Sequence, residues 1–279
     1  MMKIAHFRHQ GRSAWGIVDI EAGELQPVAG DLTDWGPALT AGHGTPTPEG
    51  KPLQLGDVQL LPPLTATSTI VGVGMNYWSH LEKLGVTERP PSTLGFLKPR
   101  AAIIGPDEEM AYPEITKQLD FEVELVAVIG ASDLSALPRP TDGVLGYTVG
   151  NDVSARDTPS PLGGFDLFSM KALDRSTPVG PWITTKDEFG GSGQPDTEIV
   201  LRVNGEERQR DRTRSMLWNV DECLEYVLAR TSLGPGDLLF TGTTDGVGAE
   251  DGRYLEPGDV IEAEIERIGV LRNTVGPRP

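Results

Sequence analysis

The sequence predicts an α+β chain that is mainly β, with a small β-rich N-terminal subdomain at residues 1–62 and a larger domain at 63–279. Short runs rich in β-branched residues, bounded by Gly, Pro or Asp, recur from residue 119 to the C-terminus. Only one long stretch, residues 215–237, carries a 3.6-residue apolar period. Pro and Gly crowd the segment "GHGTPTPEGKP", which reads as a connection between the two parts.

Taken in order, "AWGIVDI" alternates as a half-buried strand does. "TSTIVGVGMNY" reads as a buried strand entering a glycine turn, and a short helix is expected to start near Trp78. The strands that follow are "LDFEVELVAVIG", "VLGYTVGNDV", "GPWITT", "EIVLRVNGEE", "GDLLFTG" and "GDVIEAEIERIGVL". Between the fourth and fifth of these, Trp218, Cys223, Leu224, Val227 and Leu228 mark a helix that Gly234 and Pro235 close.

Composition narrows the function classes. With 38% hydrophobic and 23% charged residues the chain can build a core. A net charge of −17 argues against nucleic acid or an anionic membrane as partner, because both require clustered Lys and Arg. Cys223 is the single cysteine, so no intrachain disulfide is possible; with no signal-like or 18-residue apolar run, a cytoplasmic location is expected.

"LDFEVELVAVIG" carries the chemistry. On a regular strand Asp120, Glu122 and Glu124 share one face, with neighbours on that face about 6.6–7 Å apart. An acidic edge strand in water is the plain alternative. The run continues, however, into "VAVIG", apolar on both faces, and like charges entering a core require a balancing cation. Carboxylate oxygens select magnesium, manganese or calcium rather than zinc. Asp152, at the end of the "GYTVGND" strand, is either a third ligand or the cap of the next turn.

The motifs "GMNYWSH", "GFLKP", "LDFEVELVAVIG", "GNDVSARD", "KALDRSTPVGPWI" and "LGPGDLLFTGTTDGVG", spread over residues 74–248 in that order, resemble the fumarylacetoacetate hydrolase family. The resemblance implies a mixed β-sandwich or β-roll catalytic domain, a homodimer, and a magnesium site for which Mn2+ or Ca2+ could substitute. It implies Glu122, Glu124 and Asp152 as metal ligands, His80 as the catalytic histidine, Lys171 beside the substrate, and Thr243 as a substrate contact. It gives Asp120 at most a supporting role behind the ligands. Lys98 is expected either to add positive charge near the site's mouth for a small anionic 2-oxoacid or 1,3-dicarbonyl substrate, or to be a surface lysine. Arg156 is expected to be structural, pairing with acids such as Asp157.

Two departures qualify the resemblance. Hydrolytic members carry His-x-x-Glu, whereas here the glutamate position holds Lys83, which cannot accept the histidine's proton. Glu82 would point about 200° around a regular helix from His80. The partner of His80 is therefore left to Glu82 or to a group outside the segment. After "SARD" the family's glutamine is also missing, from "SARDTPSPLGG". The leading expectation is a metal-dependent C–C bond hydrolase. Tautomerisation, isomerisation or decarboxylation of a 2-oxoacid stands near parity with it, and a non-catalytic binding protein is the third reading. Residues 77–92 form a candidate lid.

Overall fold

The computed structural model describes residues 1–160, 163–164, 166–191 and 194–279. Its architecture is the mainly β α+β fold expected. A twelve-stranded sheet and a five-stranded sheet enclose the main core.

The strand Val123–Ile129 lies inside the larger sheet, antiparallel to Val144–Asn151 on one side and to Leu238–Thr243 on the other. Its alternation fills two cores. Leu125, Ala127 and Ile129 pack in the cluster that contains Ile199, Leu201, Ile261 and Ile265 of the five-stranded sheet. Val126 and Val128 pack in a second cluster with Ile4, Ile183, Leu238 and Phe240. The two apolar faces of "VAVIG" are thus both used.

The acidic strand is not continuous. Leu119–Asp120 pairs with Ser154–Ala155, and pairing with Val144–Asn151 begins only at Val123. Phe121 and Glu122 form the break between the two ladders. The equal spacing of three carboxylates along one face therefore fails, and Asp120 is turned away from Glu122 and Glu124.

The N-terminal segment extends the larger sheet. Strand Lys3–His9 pairs antiparallel with Thr177–Thr185 through Lys3 opposite Thr184 and Ile4 opposite Ile183. Strands Arg12–Asp19, Glu24–Val28 and Leu53–Gln54 follow outward. A helix at Leu32–Thr40 was not legible in the sequence, because Gly36 and Pro37 within it read as loop. A capping box between Asp31 and Asp34 starts it.

The expected helices form at Trp78–Lys83 and Val220–Leu228. The second begins later than its periodicity suggested: Asn219 caps it in a reciprocal box with Glu222, leaving Trp218 before the first turn. No helix among the described residues is long and apolar enough to cross a membrane.

Candidate metal and catalytic site

Antiparallel register assembles the acidic centre. Val123 lies opposite Asn151 and Glu124 opposite Thr243, while the Asp152 amide donates to the Glu122 carbonyl at 2.8 Å. Glu122, Glu124 and Asp152 consequently offer carboxylate oxygens within 4.8 Å of one another, all three residues buried. Gly242 donates its amide to Glu124 Oε2 at 2.7 Å. Its φ of +92° and the 2.7 Å that would separate an added Cβ from Asn76 Cβ restrict this position to glycine.

Three cations surround the cluster. Lys171 Nζ donates to Glu122 Oε2 at 2.8 Å and to Asp152 Oδ2 at 2.5 Å. Lys98 Nζ donates to Asp152 Oδ1 at 2.5 Å. Arg156 forks, Nε to Asp120 Oδ2 at 2.8 Å and a terminal nitrogen to Glu122 Oε1 at 2.6 Å. Two expectations are corrected here. Lys98 is fully buried behind Asp152 rather than placed at a mouth or on the surface: it ends the strand Leu94–Lys98 opposite Ile70, and its ammonium turns onto the buried Asp152 carboxylate. Arg156 does not pair with Asp157, whose carboxylate accepts from Thr116 and the Lys117 amide.

Electrostatics divide the carboxylates. Burial would raise Glu122, but the Lys171 ammonium and Arg156 guanidinium outweigh it and hold the group at about 2. Burial, then the charges of Asp152 and Glu122, push Glu124 well above the usual carboxylate range. Burial would lower Lys171, yet Asp152 and Glu122 hold its ammonium above the ordinary lysine value. Lys98 is lowered, its burial prevailing over Asp152. Four carboxylates including Asp120 thus face three fixed cations, with Glu124 the one left uncompensated. Hard, buried oxygen donors at this spacing and an unbalanced negative charge fit a divalent cation.

His80 has its acid. Nδ1 lies 3.0 Å from Glu250 Oε1. Because a carboxylate only accepts, the neutral ring carries its proton on Nδ1 and keeps the Nε2 lone pair free. Glu250 is held in turn by the Gly246 amide on Oε2 at 2.8 Å. Glu82 is occupied elsewhere, accepting from Trp78 Nε1 at 2.7 Å, and Lys83 is exposed. The sequence reading had left open a group outside the segment, and Glu250 is that group.

His80, Glu122, Arg156, Lys171 and Thr243 line one cavity of about 380 Å3, with Phe96, Met170 and Leu84 among its apolar walls and Gln118 and Tyr254 among its polar ones. Lys171 Nζ sits 5.2 Å from the Phe96 ring centre. Thr243 Oγ1 donates to the Val123 carbonyl and accepts from Gln209, so its hydroxyl is already engaged. Of "SARDTPSPLGG", Pro161 and Leu162 lie outside the described residues, while Thr158 and Gly164 reach the cavity. Glu250, Gln118 and Tyr254 are site residues the sequence reading missed.

A sheet-framed cluster of two glutamates and an aspartate, with a lysine and a carboxylate-held histidine on one cavity, defines the class. The chain belongs to the fumarylacetoacetate hydrolase family: residues 69–276 match the model for the fumarylacetoacetate hydrolase C-terminal domain, and residues 2–63 match the Rv2993c-like N-terminal model. Protein Rv2993c of Mycobacterium tuberculosis is 41% identical over 98% of both chains. A 2,4-didehydro-3-deoxy-L-rhamnonate hydrolase of a Sphingomonas species is 34% identical over 98% of this chain and 96% of its own. The mitochondrial oxaloacetate tautomerase FAHD2A of Bos taurus is 36% identical over 78% of this chain and 70% of its own. Among solved structures, 2-hydroxyhepta-2,4-diene-1,7-dioate isomerase from Mycobacterium marinum superposes with a TM-score of 0.79 at 32% identity over 99% of both chains. Fumarylpyruvate hydrolase from Pseudomonas aeruginosa, in complex with Mn2+ and pyruvate, gives 0.65 at 32% identity, covering 79% of this chain and 92% of that one.

Proposed function

We propose that the protein is a magnesium-dependent hydrolase of a carbon–carbon bond in a small anionic 2-oxoacid or 1,3-dicarbonyl substrate. The observation that carries this reading is the His80–Glu250 contact on the cavity that Glu122 and Lys171 also line. It supplies the carboxylate-oriented base that Lys83 had seemed to remove, and so moves hydrolysis ahead of its alternatives.

A divalent cation on Glu122, Glu124 and Asp152, with Mn2+ able to replace Mg2+, would act as a Lewis acid toward a 2-oxo group. The remaining roles belong to the chain. His80 Nε2 takes a proton from water, Glu250 stabilises the resulting imidazolium, and the water oxygen attacks the carbonyl distal to the 2-oxo group. As the C–C bond breaks, the imidazolium returns the proton to the departing carbon. Lys171 donates to the developing oxyanion, a contribution of about 3–4 kcal/mol when the donor is preorganised. Phe96, Met170 and Leu84 give the cavity an apolar side against which the substrate's carbon chain would pack.

The tautomerase relative supports a second reading on the same residues: His80 Nε2 moving a substrate carbon-bound proton, with no water consumed. Residues 1–62 and 63–279 are read as subdomain and catalytic domain, which the separate matches at 2–63 and 69–276 favour. A homodimer is supported by the edge strand Leu94–Lys98 and the neighbouring apolar groove, where Leu97 is 65% and Phe168 79% exposed. The buried free thiol of Cys223 accords with a reducing, cytoplasmic setting.

Chelator-stripped protein should cleave an acylpyruvate only after Mg2+ or Mn2+ is restored, and Glu122→Ala should not recover at any metal concentration. Oxaloacetate tautomerisation without acylpyruvate cleavage would replace the hydrolase reading by the second one. Failure of both substrates with retained metal binding would overturn the enzymatic reading.

A further inference from the structure

We propose that Asp120 is a positioning residue that fixes, from one buried carboxylate, both the metal ligand Glu122 and the His80–Glu250 pair; the catalytic meaning of this link rests on the hydrolase reading above. Asp120 is 0% exposed, and both of its oxygens are engaged. Oδ1 accepts from the Gly248 amide at 2.6 Å and from its neighbour Phe121 at 2.9 Å. Oδ2 accepts from the Ala249 amide at 3.0 Å and from Arg156 Nε at 2.8 Å.

Each connection leads to the site. Through Arg156, whose second nitrogen holds Glu122 Oε1 at 2.6 Å, Asp120 sets one ligand of the acidic cluster. Through Gly248 and Ala249 it holds the first turn of the Gly248–Asp251 helix, which carries Glu250. Glu250 then meets His80. The approach is close enough to dictate sequence: a Cβ on residue 248 would stand 2.7 Å from Asp120 Oδ1 and 2.6 Å from the Arg253 carbonyl oxygen, so glycine is required there. The break in the acidic strand is what turns Asp120 toward this helix. A four-residue helix has few contacts of its own to place it, and a charge-assisted pair of amide bonds from a fully buried carboxylate supplies the missing constraint. The separation between base and metal ligands is then set by a single side chain that need not touch substrate.

The test uses full-length protein labelled with 15N-histidine. Asp120→Asn retains the size of the side chain but offers one accepting oxygen, which cannot serve both helix amides and Arg156. In the metal-free variant the His80 ring resonances, assigned by their loss in His80→Gln, should move while those of His6, His9 and His43 stay. Mn2+ affinity by calorimetry should fall 10–100-fold, the range expected when a partner of a metal ligand is removed. With an accepted substrate, kcat should fall and KM should stay near wild type. A folded Asp120→Asn protein with wild-type His80 resonances and wild-type metal affinity would overturn the proposal. Should that variant not fold, Arg156→Lys decides: it keeps the positive charge that Glu122 and the cavity feel but breaks the fork that joins Asp120 to Glu122, so a changed metal affinity with unmoved His80 resonances refutes the link, and movement of both supports it. The resonance and metal readouts require no turnover, so the absence of any substrate would count against the hydrolase reading alone.

Discussion

Replacing Glu250 by glutamine should cost the enzyme most of its rate while leaving it folded. The Nδ1···Oε1 distance is 3.0 Å, and the two side chains are each 10% exposed, so solvent screens the pair little. Hydrogen bonds to a charged partner contribute about 1.5–3 kcal/mol, roughly twice a neutral one. Glutamine has one accepting oxygen where glutamate has two. If that oxygen stays on the Gly246 amide, the carboxamide NH2 faces His80 and favours the tautomer with its proton on Nε2, which removes the base. The upper part of the range then applies, and about 2–3 kcal/mol of lost transition-state stabilisation corresponds to a fall in kcat of about 30–150-fold. Initial rates of acylpyruvate cleavage at saturating Mg2+ measure it, with circular dichroism confirming the fold. A kcat within threefold of wild type would refute the assignment of Glu250 as the acid that orients His80.

Lys83→Glu, which rebuilds the His-x-x-Glu spacing, should leave cleavage within about twofold of wild type, since His80 already has a partner; a tenfold gain would show that Glu250 is not sufficient. Burial, above all, pushes the Cys223 thiol up to about 12 from the ordinary cysteine value near 9. Its folded value lies above its unfolded one, so its contribution to stability is complete below pH 9 and lost between about 9 and about 12. A disulfide reagent at pH 8 should therefore label the native protein far more slowly than the urea-unfolded chain, and equal rates would contradict the burial described. Phe168→Asp should shift the mass measured by light scattering from two chains toward one; an unchanged dimer would place the interface elsewhere.

The acidic cluster was legible because it follows from local alternation and from one strand end. Glu122, Glu124 and Asp152 each stand in or beside an apolar run whose burial the sequence declares. Asp120 was misplaced because the same alternation has no means of announcing a break at Phe121 and Glu122. Glu250 was invisible for a different reason: it meets His80 across 170 residues of sequence, from a four-residue helix between glycines that has no periodicity to read. Lys98 was legible as a cation but not as a buried one, since burial of a lysine depends on the carboxylate that meets it, and Asp152 lies on another strand. The Leu32–Thr40 helix was hidden by Gly36 and Pro37, residues that disfavour helix in isolation but are outweighed here by capping and by the packing of Leu32 and Trp35.

The N-terminal strand Lys3–His9 seals Ile183 and Thr184 at what would otherwise be an open margin of the larger sheet. No residue of 1–62 lines the substrate cavity among the described residues, whose walls begin at Gly74. The appended segment covers that margin of the sheet with its own strands and moves the edge outward to the two-residue strand Leu53–Gln54. Within the chain, a change in the appended segment therefore reaches the described walls of the cavity only through the sheet that it extends.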